Sequence, residues 1–176
     1  MKKLVNDNYF PNRGQKIKVL VANQEGLNNL YRLITLSHTQ RLFRCPCVFR
    51  SDLVKHRSGL LVGAAGGREG EMFSLFSSFC SVKKKKERMS FYDYIEVSCP
   101  ENFRYLWLNG RVGETGEIEL KKAARQIISM AEELNIPAVA YHNVHYCEKK
   151  EKILKEIIVA NEGMNGSRHY LYDEAT

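Results

Sequence analysis

No stretch of this sequence approaches the run of about 18 apolar residues that a membrane-spanning helix needs. Met1-Lys2-Lys3-Leu4-Val5-Asn6-Asp7 starts with charge, but no apolar segment follows, so no export signal is expected and the chain is placed in the cytoplasm. A disulfide framework is also missing. The five cysteines, Cys45, Cys47, Cys80, Cys99 and Cys147, are odd in number and scattered, which suits reduced thiols. Cys45-Pro46-Cys47 is a close pair, but no CxxC or HxxxH partner follows it to complete a zinc site, although His56 is near in sequence. Gly66-Gly67-Arg68-Glu69-Gly70 is glycine-rich, yet no Gly-Lys-Ser/Thr follows, which excludes a Walker A loop and leaves a tight turn as the plain reading. No spacing supports a Ser-His-Asp or Cys-His nucleophile. No trio of acidic residues marks a two-metal centre. Asp93 and Glu96, read as three apart on one strand, face opposite sides and make no catalytic pair. Internal repeats and low-complexity linkers are absent.

What is present fits about one domain: 176 residues, 44% of them hydrophobic. The formal net charge of +7 favours an anionic partner such as nucleic acid. Lys83, Lys84, Lys85 and Lys86 form one basic block, and Arg41, Arg44, Arg50, Lys55 and Arg57 a looser one. Arg41, Arg44 and the four lysines are the candidate contacts to phosphate. A solvated face is the commoner meaning of such a run.

Short β-rich runs alternate with helical ones. Ile17–Ala22 reads as a strand. Gln24–His38 follows as an amphipathic helix, with Leu27, Leu30, Tyr31, Ile34 and Leu36–Ser37 near helical spacing. A short helix from an Ser51 N-cap to His56 is expected, stopped by Gly59. Leu60–Ala65 reads as a strand buried on both faces. Glu71–Phe79 reads as a helix, the lysine block as a loop, and Phe91–Val97 as a third strand. Glu117–Leu134 is the clearest helix, then comes a fourth strand at Ala138–Tyr141 and a helix at Lys149–Ala160, ended around Gly163. Such alternation implies an α/β fold with about four parallel strands and flanking helices. The expected organisation is a lead-in over residues 1–16, the α/β part over 17–163 and an irregular tail over 164–176.

In parallel α/β folds functional residues gather at the C-terminal ends of strands. Those ends would be Asn23-Gln24, Gly63–Gly67, Ser98-Cys99 and His142-Asn143-Val144-His145. In an extended segment Asn143 and His145 point to one side, where imidazole and an oxygen donor can hold Zn²⁺ or Mn²⁺. A histidine hydrogen-bonded at a strand end is the plainer alternative.

The run Leu20-Val21-Ala22-Asn23-Gln24-Glu25-Gly26-Leu27-Asn28-Asn29-Leu30-Tyr31-Arg32-Leu33-Ile34-Thr35-Leu36-Ser37-His38-Thr39 resembles a strand, Gly-Leu turn and helix of the PHP domain of C-family bacterial DNA polymerases, ending in the Leu-Ser-His of the PolC class. Arg50-Ser51-Asp52-Leu53, Gly59–Gly63, Phe91–Val97 and Asn143-Val144-His145-Tyr146 continue the likeness in order, from about residue 17 to 174. The resemblance implies part of a distorted seven-stranded βα barrel, in the portion after an inserted proofreading exonuclease. It implies a segment of the replicative DNA polymerase III alpha subunit that supports the exonuclease and polymerase core of the same chain. DNA would be its partner through the parent polymerase, which would use Mg²⁺. An intact family site would hold Zn²⁺ or Mn²⁺. The family's His-x-His motif lies outside this segment, and Gly66 or Gly67 stands where the family usually has a metal-binding cysteine. That leaves His145, with Asn143, as the surviving ligand candidates and predicts no tight metal binding and no catalysis by the segment alone. The alternatives are a stand-alone PHP-family phosphoesterase and a non-catalytic interaction module.

Overall fold

The computed structural model describes residues 14–43, 45–77, 80–103, 116–142 and 144–162. The chain divides into two compact units, one formed by Met1–Val97 with Ile127–Val139, the other by Ser98–Gln126 with Ala140–Thr176.

The described elements run β1 (Ile17–Val21), α1 (Gln24–Thr39), β2 (Leu42–Phe43), β3 (Cys45–Pro46), α2 (Arg50–Lys55), β4 (Leu60–Ala64), α3 (Glu71–Ser77), α4 (Val82–Met89), β5 (Tyr94–Ser98), α5 (Gly116–Glu133), β6 (Ala138–Tyr141) and α6 (Lys152–Glu162), with 3-10 turns at Pro100–Phe103 and Lys149–Glu151. Four strands form one open sheet in the order β1-β4-β5-β6, and β2 and β3 form a small separate ribbon.

The expectation of an all-parallel sheet fails at β1. β4 and β5 are parallel, with Gly63 opposite Tyr94, but β1 runs antiparallel to β4, with Ile17 opposite Ala64 and Val21 opposite Leu60. The cause lies in the turn before β4. Asn23 caps α1 by accepting from Gly26 N at 2.9 Å, Asn29 Nδ2 donates to Ser58 O at 2.9 Å, and Ala22 N donates to Gly59 O at 2.9 Å. These bonds bring the chain back beside the point where it left β1, so no crossover is made. Gly59 has φ 71°, in the left-handed region that favours glycine. The α1 backbone then approaches so closely that a Cβ on Gly26 would lie 1.8 Å from Gly59 O.

That approach also sets the rotation of α1. Its buried face is Gly26, Asn29, Leu33 and Ser37, at spacings of three and four. The expected stripe is therefore rotated, and Tyr31 and Ile34 stand exposed. Leu33, Leu53 and Leu60 form one core cluster, with Val19, Leu30 and Val48 packed against it. The larger cluster joins Val62, Ala64, Met72, Leu75, Met89, Tyr92, Ile95, Ile127 and Ala131. β4 contributes to both. Only Leu61, 44% exposed, departs from the expected two-sided burial. Asp93 precedes β5 rather than lying within it. Its N donates to Val62 O at 2.8 Å and its Oδ2 accepts from Val62 N at 2.7 Å, which locks the β4–β5 register, and Arg57 Nη2 completes the grip at 2.9 Å.

Two further boundaries shift. α2 begins at Arg50 rather than after an Ser51 cap, and Asp52 Oδ2 accepts from Phe49 N at 3.2 Å to satisfy the helix start. The lysine block is helical, not a loop. Positions 78–79, expected to end α3, position 163, expected to close the last helix, and 164–176, expected as tail, lie outside the described residues.

Alanine in a helix is ordinarily better than glycine by about 1 kcal/mol. At Gly26 the backbone clash outweighs that gain, so Gly26→Ala is expected to lower chain stability by about 2 kcal/mol. A Cβ on Gly67 meets nothing within 4 Å, so Gly67→Ala should be neutral or stabilising by up to about 1 kcal/mol. Urea titration of the two variants beside the parent reads the contrast.

Candidate functional site

The basic surface is built on α4. Lysine is a good helix former, and Ser81 Oγ caps the helix by accepting from Lys84 N at 3.4 Å. Met89 is fully buried at the other end and fixes which face turns inward. Lys85 and Lys86, one turn earlier, lie on that face. Lys85 Nζ sits 4.3 Å from the Phe76 ring centroid, and Lys86 Nζ pairs with Glu133 Oε2 at 2.6 Å. Lys83 and Lys84 are exposed in the first turn. There the positive end of the helix dipole adds to their charge, so an anion would be favoured.

The other proposed phosphate contacts differ in kind. Arg41 Nε pairs with Asp52 Oδ2 at 3.2 Å, and its guanidinium carbon stands 4.6 Å from the Phe49 ring centroid. Its charge is thus already engaged by the fold. Arg44 lies outside the described residues. Of the remnant metal pair, His145 is exposed in the segment after β6, and Asn143 lies outside the described residues. Among the described residues no three His, Cys, Asp or Glu side chains come together to hold a metal ion.

At the end of β4 the glycine loop is occupied by the protein itself. Gly66 N donates to Glu96 Oε2 at 3.0 Å, Glu96 Oε1 pairs with Lys18 Nζ at 2.7 Å, and Gly70 N closes the turn on Gly67 O at 2.9 Å. Because β1 is antiparallel, Lys18 arrives here while Asn23-Gln24 lies at the opposite end of the β1–β4 pair. The expected gathering of strand C-termini thus excludes β1.

A charge cluster that the sequence did not suggest sits at the start of α3. Glu71 is 2% exposed. Its Oε2 accepts from Tyr92 Oη at 2.5 Å and from Arg50 Nη2 at 2.7 Å, and its Oε1 accepts from Arg88 Nη1 at 2.8 Å. Arg50 also lies over the Phe91 ring at 4.1 Å. Burial, reinforced by the Glu71 charge and hydrogen bond, raises the Tyr92 hydroxyl pKa well above its ordinary value. The one sequence signal was Glu71 at a helix start. Its partners are 17 and 21 residues distant, and Arg50 was grouped with surface charge.

The geometry thus defines an open α/β segment with an internal charge network and a basic helix on its surface. No protein-family model matches the chain. Curated relatives do. The chain is similar to the PolC-type DNA polymerase III of Bacillus subtilis (strain 168), 38% identical over 155 residues, covering 88% of this chain and 10% of that protein. It is 33% identical over 169 residues to the PolC-type DNA polymerase III of Oceanobacillus iheyensis, covering 96% of this chain and 12% of the relative. With the Streptococcus pneumoniae protein of the same name the identity is 35% over 157 residues, covering 89% and 10%. The chain therefore matches a short part of PolC-type DNA polymerase III, spanning about a tenth of the length of these relatives.

Two outcomes follow from the Glu71 cluster. Glu71→Gln leaves two guanidinium groups beside a neutral amide and is expected to destabilise the chain by about 3 kcal/mol in urea titration. Tyr92 binds its proton more tightly folded than unfolded. Below the ordinary tyrosine pKa of 10.0 both states keep the proton. Above it the unfolded state alone releases it, so stability falls by about 1.4 kcal/mol per pH unit from this group. Urea titrations at about pH 9 and about pH 11 should show that drop reduced in Tyr92→Phe. An equal drop in both proteins would remove Tyr92 as its source.

Proposed function

We propose that this chain is the part of a PolC-type DNA polymerase III that follows an inserted proofreading exonuclease within the PHP domain, and that it serves replication as a scaffold rather than as a catalytic centre. The observation that carries the reading is the similarity to PolC-type polymerases, which covers 88–96% of the chain at 33–38% identity. The open sheet supports it, since the outer edges of β1 and β6 are where further strands of a barrel would add. The side-chain chemistry supports it as well. The buried carboxylates Glu71 and Glu96 are neutralised by neighbouring cations, as in a structural network.

On this reading the exonuclease and polymerase core of the longer polypeptide are the segment's neighbours, and the setting is cytoplasmic. Nucleotidyl transfer and its Mg²⁺ belong elsewhere in that polypeptide. Asn143 and His145 are what the segment keeps of a zinc- or manganese-binding edge. DNA is reached through the parent, and Lys83 and Lys84 are the phosphate contacts best placed on this surface.

The flanking coding sequence tests the identity. An exonuclease reading frame upstream and an Asp-x-Asp palm downstream are expected, and a self-standing gene without either would overturn it. DNA contact is tested by fluorescence anisotropy with duplex DNA over a salt series. Replacing Lys83 and Lys84 by alanine is expected to weaken binding irrespective of sequence and to reduce the slope of log affinity against log salt by about 2. An unchanged slope would remove α4 from the DNA path.

A further inference from the structure

We propose that Cys45 and Cys47 form a two-thiolate site for a thiophilic divalent cation of the zinc and cadmium class. The inference is independent of the polymerase reading. The two Sγ atoms lie 3.9 Å apart. Two sulfurs at corners of a tetrahedral site, each about 2.3 Å from the ion, stand about 3.8 Å apart. The pair is thus already at the spacing an ion requires. A disulfide would need the sulfurs to close to about 2 Å.

The pair is held in place before any ion arrives. Leu42 pairs with Pro46 and Phe43 with Cys45 in the β2–β3 ribbon. Pro46 has its φ fixed by its ring. Arg41 N donates to Leu36 O at 3.1 Å, which ties the entry of the ribbon to the end of α1. On the exit side Val48 packs on Leu33, Leu53 and Leu60. Between these anchors the free thiol of Cys47 donates to Cys45 O at 3.3 Å, a bond given up when the thiol loses its proton to the ion. Little ordering remains to be done on binding. Cys45 is exposed and Cys47 half-buried, so the ion can reach both sulfurs from solvent.

Binding is a proton-for-metal exchange. Two thiols lose two protons, two metal–sulfur bonds form, and no electron is transferred. Among the described residues no third His, Cys, Asp or Glu joins the pair. On the described residues alone, the remaining coordination positions fall to water or to the same pair on a second copy of the chain. A site of this kind exchanges its ion readily.

Titration of the reduced, metal-free chain with Cd²⁺, followed by the ultraviolet thiolate-to-metal charge-transfer band, tests the assignment. The band should saturate at one ion per chain, or at one ion per two chains with dimerisation in sedimentation, in which case the second copy completes the site. Cys45→Ser and Cys47→Ser should each weaken binding by about tenfold or more, with circular dichroism unchanged. Cys80→Ser, Cys99→Ser and Cys147→Ser should leave the titration as in the parent. Absence of the band, or a band that survives both Cys45→Ser and Cys47→Ser, would overturn the site.

Discussion

A carboxylate almost out of reach of water sits where α2, α3, α4 and the approach to β5 converge. Leaving an ion of that kind uncompensated costs several kcal/mol, so Glu71 constrains whatever surrounds it. Arg50 comes from the first position of α2, Arg88 from the last turn of α4, and Tyr92 from the segment before β5. Hydrophobic contact alone is non-directional and would tolerate several arrangements of these short helices. Three directed hydrogen bonds to two oxygens of one side chain allow far fewer. The surface charge follows from this. With Arg88 drawn to Glu71 and Met89 buried, α4 turns Lys83 and Lys84, of its four lysines, fully outward. The basic face is a consequence of the buried one.

Most elements were legible from the residues alone, because period and punctuation carry that information. β6 was read at its observed bounds, and α1 and α5 within a residue at each end. The errors share a cause, which is that the deciding partner is remote in sequence. The direction of β1 depends on Asn29 reaching Ser58 and on Gly26 meeting Gly59. The lysine block became a helix because Glu133, Phe76 and Glu71 take up its charge and that of Arg88. Glycine positions could be seen, but not which of them were obligatory. Gly26 touches backbone whereas Gly67 touches nothing. Of the candidate site residues, Lys83 and Lys84 stand exposed and Lys85 and Lys86 half-buried. The sequence could not tell that Arg41 was already engaged by Asp52.

The antiparallel β1 also changes where chemistry can collect. In a fully parallel sheet every strand would deliver its C-terminal residues to one rim. Here the rim at the end of β4 receives the start of β1 instead, and with it Lys18, which neutralises Glu96 beside the glycine loop. A backbone N–H that might have bound an external anion is given to an internal carboxylate.

That internal use of charge bears on what these two carboxylates can do. A carboxylate acting as a general base or metal ligand must meet water, substrate or ion at some point in its cycle. Glu71 and Glu96, at 2% and 8% exposure, face cations of the chain itself. Their desolvation is offset by fixed partners, and displacing those partners would undo the packing of α2 and α4 or the hold on the glycine loop. The ion pairs around Glu71 and Glu96 therefore hold the fold.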